Sequence, residues 1–453
     1  MARVNVAVPR RPPITTHEGA PAVHINAEQT LRRISLATLL WEDQFYVDGK
    51  TVADQIAATI PLVKPQRVAD IAIEAREKQK LRHLPLLLVR ELARGKNVPD
   101  GLVRQTLARV IQRPDEMAEF LAIYWKDKRQ PLSAQVKKGL RGAFSKFDPF
   151  QLRKWERESN IKLRDVMFLT HPKPSEAQVG VFKELADRNT QAVDTWETKL
   201  SAGEEKKTDE QKRERWIEML REKNLGAMAL LRNLRNMIEA DVELDMIREA
   251  LLHTKVERVL PFRFITAARY APKLEPELGQ AMLKCLTGQE RLPGKTVLLV
   301  DVSGSMDATL SGKSELTRMD AACGVAMLAR EVCEDVEVLT FSNRVKEVPS
   351  RHAFALRDAI VTSQPHSGTQ LGDAMQYVNG LRKCDRVIVF TDEQSHQAVP
   401  NPTAPLAYMV NVASYQNGVG YQHGWQHIDG FSEAIVDYIR ESEKAVDKPA
   451  VEE

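Results

Sequence analysis

Leu298-Leu299-Val300-Asp301-Val302-Ser303-Gly304-Ser305-Met306 is the stretch that decides the fold of the last third of this chain. The apolar run is too short for a helix to gain much from burying it, and it ends in a turn rich in Ser and Gly, so it predicts a strand buried on both faces. Working outward, Val- and Leu-rich strands are expected at 297–300, 336–341, 387–390 and 408–412, with helices at 321–332, 371–381 and 432–440 between or after them. Continuous apolar strands separated by helices predict a doubly wound, parallel-dominated sheet. Such sheets carry their sites at the carboxyl ends of strands, where Asp301, Ser303 and Ser305 fall.

Two later stretches supply matching groups. Ser367-Gly368-Thr369 precedes a helix, and the strand at 387–390 runs into Thr391-Asp392-Glu393. Asp301, Ser303, Ser305, Thr369 and Asp392 offer oxygen donors only, on short side chains and with few charges. That chemistry suits a hard divalent cation, Mg²⁺ first, which keeps waters and leaves a position open for a partner's carboxylate. The plainer alternative is that the same residues are helix caps and turn formers. No G-x-S-x-G elbow, H-E-x-x-H helix or Cys/His pair at usable spacing is present, so the protein is expected not to be an enzyme. A hydrolase acting at the cation would need a general base, for which Glu393, His396 and Asp307 are the nearby candidates. Gly288 to Thr296 imitates a phosphate-binding loop, but it has five residues between its glycines and precedes a strand rather than following one. Gly418, Gly420 and Gly424 read as a loop.

The preceding residues have another texture. Leu31, Ile34, Ala37 and Trp41 share a helical face behind a possible cap at Asn26, and helices are expected at 51–60, 66–79, 83–94, 101–112, 115–126, 133–145, 161–169 and 175–187. Short Pro- or Gly-bearing connectors separate them, as in an α-solenoid of HEAT-like helix pairs. The mixed-charge run 204–215 reads as a solvated helix face or loop, and helices resume at 227–237, 242–252, 262–270 and 278–286. The expected division is an extended arm over 1–26, a helical module over 27–294, a doubly wound domain over 295–445 and an acidic tail over 446–453. Cys285, Cys323, Cys333 and Cys384 form no C-x-x-C pair and read as reduced core thiols. No run reaches the roughly 18 apolar residues of a membrane helix, and no secretory signal is visible, so a cytoplasmic location is the default expectation.

Charge divides the chain in the same place. From Thr296 onward there are 13 Lys and Arg against 22 Asp and Glu, which leaves 52 against 40 for residues 1–295. A basic module suggests a polyanion. Lys137, Lys138, Arg141, Lys146, Arg153, Lys154, Arg157, Lys162, Arg164 and Lys173 are interleaved with Phe144, Phe147, Phe150 and Trp155. Cations of this kind neutralise phosphates while aromatics stack on unpaired bases, although Phe and Trp at helical spacing also serve as core. His171, before Pro172, is either part of that face or a helix carboxyl-terminal cap.

Asp301-Val302-Ser303-Gly304-Ser305-Met306, Gly368-Thr369 and Phe390-Thr391-Asp392 resemble the metal-ion-dependent adhesion site of a von Willebrand factor A domain. The resemblance implies that Ser303 and Ser305 ligate directly, that Thr369 is a further ligand, and that Asp301 and Asp392 act directly or through water. Upstream, Arg153-Lys154-Trp155, Ile161 through Pro174, Ala229 through Leu234 and Leu260-Pro261-Phe262-Arg263 resemble the TROVE module of the Ro autoantigen family, bacterial type. A TROVE module followed by an A domain is that family's arrangement. It implies a monomeric ring of helical repeats closed by the A domain. Its outer basic face would hold a Y-like small RNA, on Lys154 and His171 here. Its central hole would take single-stranded 3′ ends of misfolded RNA for quality control, with Arg232 and Arg263 as candidates to line it and an exoribonuclease as a partner. Where family members often carry an arginine four residues after the lysine, this chain has Glu158, beside Arg157. The competing expectation is a Mg²⁺-dependent protein-interaction adaptor with no RNA ligand.

Overall fold

Antiparallel helix pairs begin at residue 27. The computed structural model describes residues 15, 16, 19, 21, 26–36, 49–156, 159–191, 193, 208–223, 225–256, 259, 261–284, 290–310, 315–381, 384–413, 418–420, 424–430 and 434–446. Its first helices are α1 (Ala27–Leu36), α2 (Gly49–Thr59), α3 (Pro65–Glu77), α4 (His83–Arg94), α5 (Leu102–Val110), α6 (Asp115–Tyr124), α7 (Ala134–Phe144), α8 (Pro149–Trp155), α9 (Leu163–Thr170) and α10 (Val179–Asp187). Local chemistry sets their starts. The Ser133 hydroxyl accepts from Val136 N to cap α7, and Asp148 with Gln151 forms a capping box before Pro149 at the first turn of α8.

These helices stack in two layers. In one, α3 packs on α5, α5 on α7 and α7 on α9; in the other, α4 packs on α6. A Cβ at Gly139 would lie 2.8 Å from Leu107 Cδ1, so the glycine is what lets α5 and α7 approach. Buried Arg76 ties the layers together, donating to Val110 O at 3.0 Å and to Glu116 Oε1 at 2.6 Å. One apolar core, with Phe120, Phe144 and Leu152 among its members, runs through all of this from Leu31 to Leu185.

A second helical array follows: α11 (Asp209–Arg221), α12 (Ala227–Glu239), α13 (Leu244–His253), α14 (Pro261–Tyr270) and α15 (Glu275–Leu283). Then come β1 (Leu292–Asp301), α16 (Arg318–Val332), β2 (Cys333–Phe341), β3 (Val345–Val348), α17 (Ala353–Val361), α18 (Leu371–Gly380), β4 (Arg386–Thr391), β5 (Leu406–Asn411), β6 (Gln426–Asp429) and α19 (Ala434–Val446). The sheet order is β3-β2-β1-β4-β5-β6. Only the β2–β3 pairing is antiparallel among its ladders. The second array shares a core with the sheet's helical layer: α14 packs on α16 and α15 on α17. The change from helices to strands, which the structure places at Leu292, is therefore not a break in packing. The opposite sheet face, with α18, has its own core. At the other end of the chain, α1 touches α2 and α3 on one side and β6 on the other, so the series of packed elements returns from the last strand to the first helix.

Some elements were not legible. The run 204–215, expected as a solvated helix face or loop, is from Asp209 the largely exposed start of a capped helix; what was not expected is its continuation to Arg221, which buries Trp216, Met219 and Leu220 along one stripe. α8, α17, β3 and β6 were not expected; all are short, and β3 and β6 are edge strands whose alternation is weak. Ala37, Trp41, Cys285 and most of the arm lie outside the described residues. The other three cysteines are free thiols. No helix among the described residues is long and apolar enough to cross a membrane.

Candidate functional site

Asp301 ends β1, which is flanked by β2 and β4, so it sits where the strand order reverses and the crossovers diverge. Register places Val300 opposite Phe390, bringing Thr391 and Asp392 alongside. Thr391 Oγ1 donates to Asp301 Oδ2 at 2.6 Å, and Ser303 N donates to Asp301 Oδ1 at 2.9 Å. Ser303 Oγ and Ser305 Oγ lie 3.3 Å apart. Gly304 N donates to Ser367 O at 2.8 Å, which joins the β1 loop to the loop before α18. Thr369 is pinned to the β4 loop, its N–H donating to His396 Nδ1 at 3.1 Å and its carbonyl accepting from His396 N at 3.0 Å. The fold therefore gathers all five expected ligands into three mutually bonded loops. Gly304 is exposed and Ser305 partly so, which leaves the set open on one side.

Two carboxylates concentrate negative charge at this point. Asp301 and Asp392 are fully buried, and burial together with the Asp392 charge pushes the Asp301 carboxyl up to about 7. A resident cation already faces them. The Arg318 guanidinium, 2% exposed, donates to Asp392 Oδ2 at 3.3 Å and to Ser305 O at 3.4 Å. Arg318 is held at the first turn of α16 by the Thr317–Asp320 capping box, and Asp320 is paired with Arg269 of α14. Two hydroxyl oxygens 3.3 Å apart beside two buried carboxylates fit adjacent ligands of a small octahedral ion, whose metal–oxygen bonds are about 2.1 Å. Among the described residues no three His, Cys, Asp or Glu side chains converge on a point. A hydroxyl-rich set with two carboxylates suits Mg²⁺ rather than zinc.

The candidate bases have other partners. Asp307 pairs with His366 at 2.8 Å, and His396 accepts from Thr369 N. Glu393 belongs to a cluster that the sequence did not disclose. Its Oε2 lies 2.8 Å from Arg33 Nη1 of α1 and its Oε1 lies 2.8 Å from His427 Nδ1, while His427 Nε2 lies 2.8 Å from Asp429 Oδ1. Burial opposes charge on each, but the His427 and Arg33 charges bring Glu393 down to about 2, and Asp429 with Glu393 brings His427 up to about 9.

The basic stretch divides. Arg141 Nε donates to Thr170 O at 2.7 Å and Arg164 Nε to Ala186 O at 3.0 Å, so both satisfy helix carboxyl ends. Lys146 does the same on Ala108 O and Ile111 O, and Arg153 pairs in two-pronged fashion with Glu184 of α10. Phe144 and Phe147 are core, whereas Phe150 is half exposed. Trp155 carries Arg113 3.6 Å from its ring centroid and Lys154 at 5.7 Å. It lines a cavity of about 390 Å³ with Lys162, Arg82 and Glu119. His171 caps α9 in the left-handed region at φ 51°, its N–H donating to Met167 O, yet its side chain is exposed. Lys137, Lys138 and Lys173 are exposed. Arg157 and Glu158 lie outside the described residues. Arg232 and Arg263 lie near each other: partial burial and the Arg232 charge both lower the Arg263 pKa.

Comparison with known proteins follows this geometry. Residues 295–410 match the family model described as the Ro60 vWA domain. The crystal structure of the Deinococcus radiodurans RO (RSR) protein superposes with a TM-score of 0.58 at 18% identity, covering 91% of this chain and 98% of that one. Residues 295–410 are thus similar to a Ro60-type A domain, and the chain shares its overall fold with that Ro protein. No curated protein sequence matches this chain. The matched segment contains all five candidate ligands and Arg318, while Arg33 and Thr16, which reach it, come from outside the match.

Proposed function

We propose that this protein is a Ro-type RNA-binding scaffold. The observation that carries the reading is the division of labour among the cations of α7 to α10. Arg141, Lys146, Arg153 and Arg164 are spent on helix ends and on Glu184, whereas Lys137, Lys138 and Lys173 face solvent. A cationic face built on packed helices attracts phosphates without reorganising. Lys154 and His171 are the positions where a Y-like small RNA would be read, and the single-stranded 3′ end would enter between the helical arrays, near Arg232 and Arg263. Mg²⁺ would be held by Ser303, Ser305 and Thr369, with Asp301 and Asp392 direct or through water. Its open position would receive a carboxylate from a protein partner, an exoribonuclease being the class implied. The scaffold itself performs no chemistry and works as a monomer in the cytoplasm.

Fluorescence anisotropy with a single-stranded RNA oligonucleotide over a salt series tests this. Each phosphate contact contributes a slope of about −0.7 in log affinity against log salt, so Lys137→Ala/Lys138→Ala should flatten the slope by about 1.4. Lys154→Ala/His171→Ala should weaken a folded small RNA more than the oligonucleotide. Absent or salt-independent binding would leave the adaptor alternative standing.

A further inference from the structure

The A-domain loop that carries Asp392 is not shaped by the A domain alone. Glu393, next in the chain, has φ 60°, a left-handed conformation that an L residue with a bulky side chain holds only when its surroundings impose it. The surroundings here come from elsewhere in the chain. Arg33 of α1 reaches Glu393 with both side chains fully buried, and Thr16 of the amino-terminal arm, also buried, donates from Oγ1 to Ser395 O at 2.7 Å. Space for the carboxylate is left by two glycines. A Cβ on Gly418 would lie 1.8 Å from Glu393 Oε2 and 2.5 Å from Arg33 Nη1, and one on Gly420 would lie 2.6 Å from Glu393 Oε1. Neighbouring residues of α1 face opposite ways: Arg32 makes a two-pronged pair with Glu74 of α3, while Arg33 enters the A domain. α1 is thus fastened to the helical module and to the metal-site loop at once.

We propose that Arg33 is a positioning residue for the metal site: with Thr16 it sets the conformation of residues 392–396, so that the site is complete only while the helical module is docked. The clause about the site rests on the Mg²⁺ reading above; the positioning of the loop does not. Coupling of this kind is reciprocal, so a ligand that shifts α1 must alter cation affinity, and a cation must alter the docking of α1.

The test uses the full chain. Removing Arg33 alone would leave the buried cluster with two carboxylates against His427, so the main variant is Arg33→Met/Glu393→Gln, which removes one charge of each sign and leaves His427 facing Asp429. Thr16→Val removes a single hydrogen bond as a milder probe, and Arg33→Lys is the conservative control. Hydrogen exchange of the amides of residues 393–396 should quicken by about tenfold or more in the double variant, as expected when one buried anchor is lost. It should quicken less in Thr16→Val and return toward the parent in Arg33→Lys, with the amides of β4 unchanged throughout. Calorimetric titration with Mn²⁺ should show weaker binding in the same order. Unchanged protection at 393–396 in the double variant overturns the proposal. Parent protein that binds no Mn²⁺ overturns the metal reading and the completeness of the site with it, whatever the exchange data show for the loop.

Discussion

Arg318→Met is the sharpest perturbation of the candidate site. The guanidinium and Asp392 are both buried and 3.3 Å apart, and at an effective dielectric of about 20 their attraction is about 5 kcal/mol. Desolvation offsets part of this in the parent, but removing the guanidinium takes a buried cation away from a buried carboxylate, a change that costs about 3–5 kcal/mol. The neighbouring Asp301, already pushed up to about 7, limits the loss by holding its proton. In chelator, the unfolding transition of the domain should fall by about 6–12 °C, taking about 3 kcal/mol and the usual 2–4 °C per kcal/mol. A divalent cation supplies the missing charge: at a hundred times its dissociation constant it returns about 2.7 kcal/mol. Scanning calorimetry of parent and variant, each with chelator and with millimolar Mg²⁺, should therefore show a variant rescued by metal and a parent that responds less. Equal losses in chelator and in Mg²⁺ would refute the view that arginine and metal serve the same pair of carboxylates.

The buried Arg33 cluster sets a pH dependence. His427 is raised from 6.5 to about 9, so its contribution, about 3 kcal/mol at 1.36 per unit, is complete below pH 6.5 and lost as pH rises through about 9. Glu393 is lowered to about 2, so its share is complete above pH 4.5 and lost as pH falls through about 2. Limited proteolysis near residue 36 should accelerate between pH 7 and pH 10 in the parent and stay flat in His427→Gln. Gly418→Ala must displace Glu393 or Arg33 and should cost about 1–3 kcal/mol of overpacking, read by urea unfolding; Gly380→Ala, with nothing within 4 Å of its added Cβ, should cost far less. Arg76→Met should destabilise the first helical array by about 1.5–3 kcal/mol, because buried Glu116 loses its 2.6 Å charged partner and keeps Arg82 at 3.7 Å and the N–H groups of Gln112 and Arg113, and a variant within about 1 kcal/mol of the parent would contradict that pairing.

Legibility followed the range of the interactions. The long amphipathic helices and the strands at 297–300, 336–341, 387–390 and 408–412 were readable because apolar periodicity is local and each element buries its own face. The candidate ligands were readable for a related reason: Asp301, Ser303 and Ser305 lie within one turn, and Thr369 and Asp392 carry their own turn chemistry. The first half of α11 was read as a solvated helix face or loop, and its packed second half was not read because charge dominates the composition, although Trp216, Met219 and Leu220 fall on one stripe. The Arg33–Glu393–His427–Asp429 cluster gave no local signal at all, since its members lie on three separate stretches and resemble ordinary surface residues in sequence. Among the expected RNA contacts, the sequence could not separate Arg141 and Arg164, which close helix ends, from Lys137 and Lys138, which do not.

The presence of Arg318 also bears on what the site would accept. Two carboxylates against one guanidinium leave a single negative charge, which the proton on Asp301 can cancel near neutral pH, so the site needs no metal to be buried safely. A divalent cation that displaces this proton would turn the balance to a net positive charge in a buried pocket open at Gly304 and Ser305. Such a charge is costly unless an anion covers it, and a partner's carboxylate on the open coordination position would do so. On the Mg²⁺ reading proposed above, the arginine would make metal and partner mutually dependent: each should bind weakly alone and well together. Through Glu393, beside Asp392, that joint state is fastened to α1 and hence to the helical module, where the exposed lysines lie. Binding of a carboxylate-bearing partner would then be felt by the helical module, and, on the proposed RNA-binding function, the sign of the effect is measurable as a change in RNA affinity on adding Mg²⁺ with acetate or an acidic peptide.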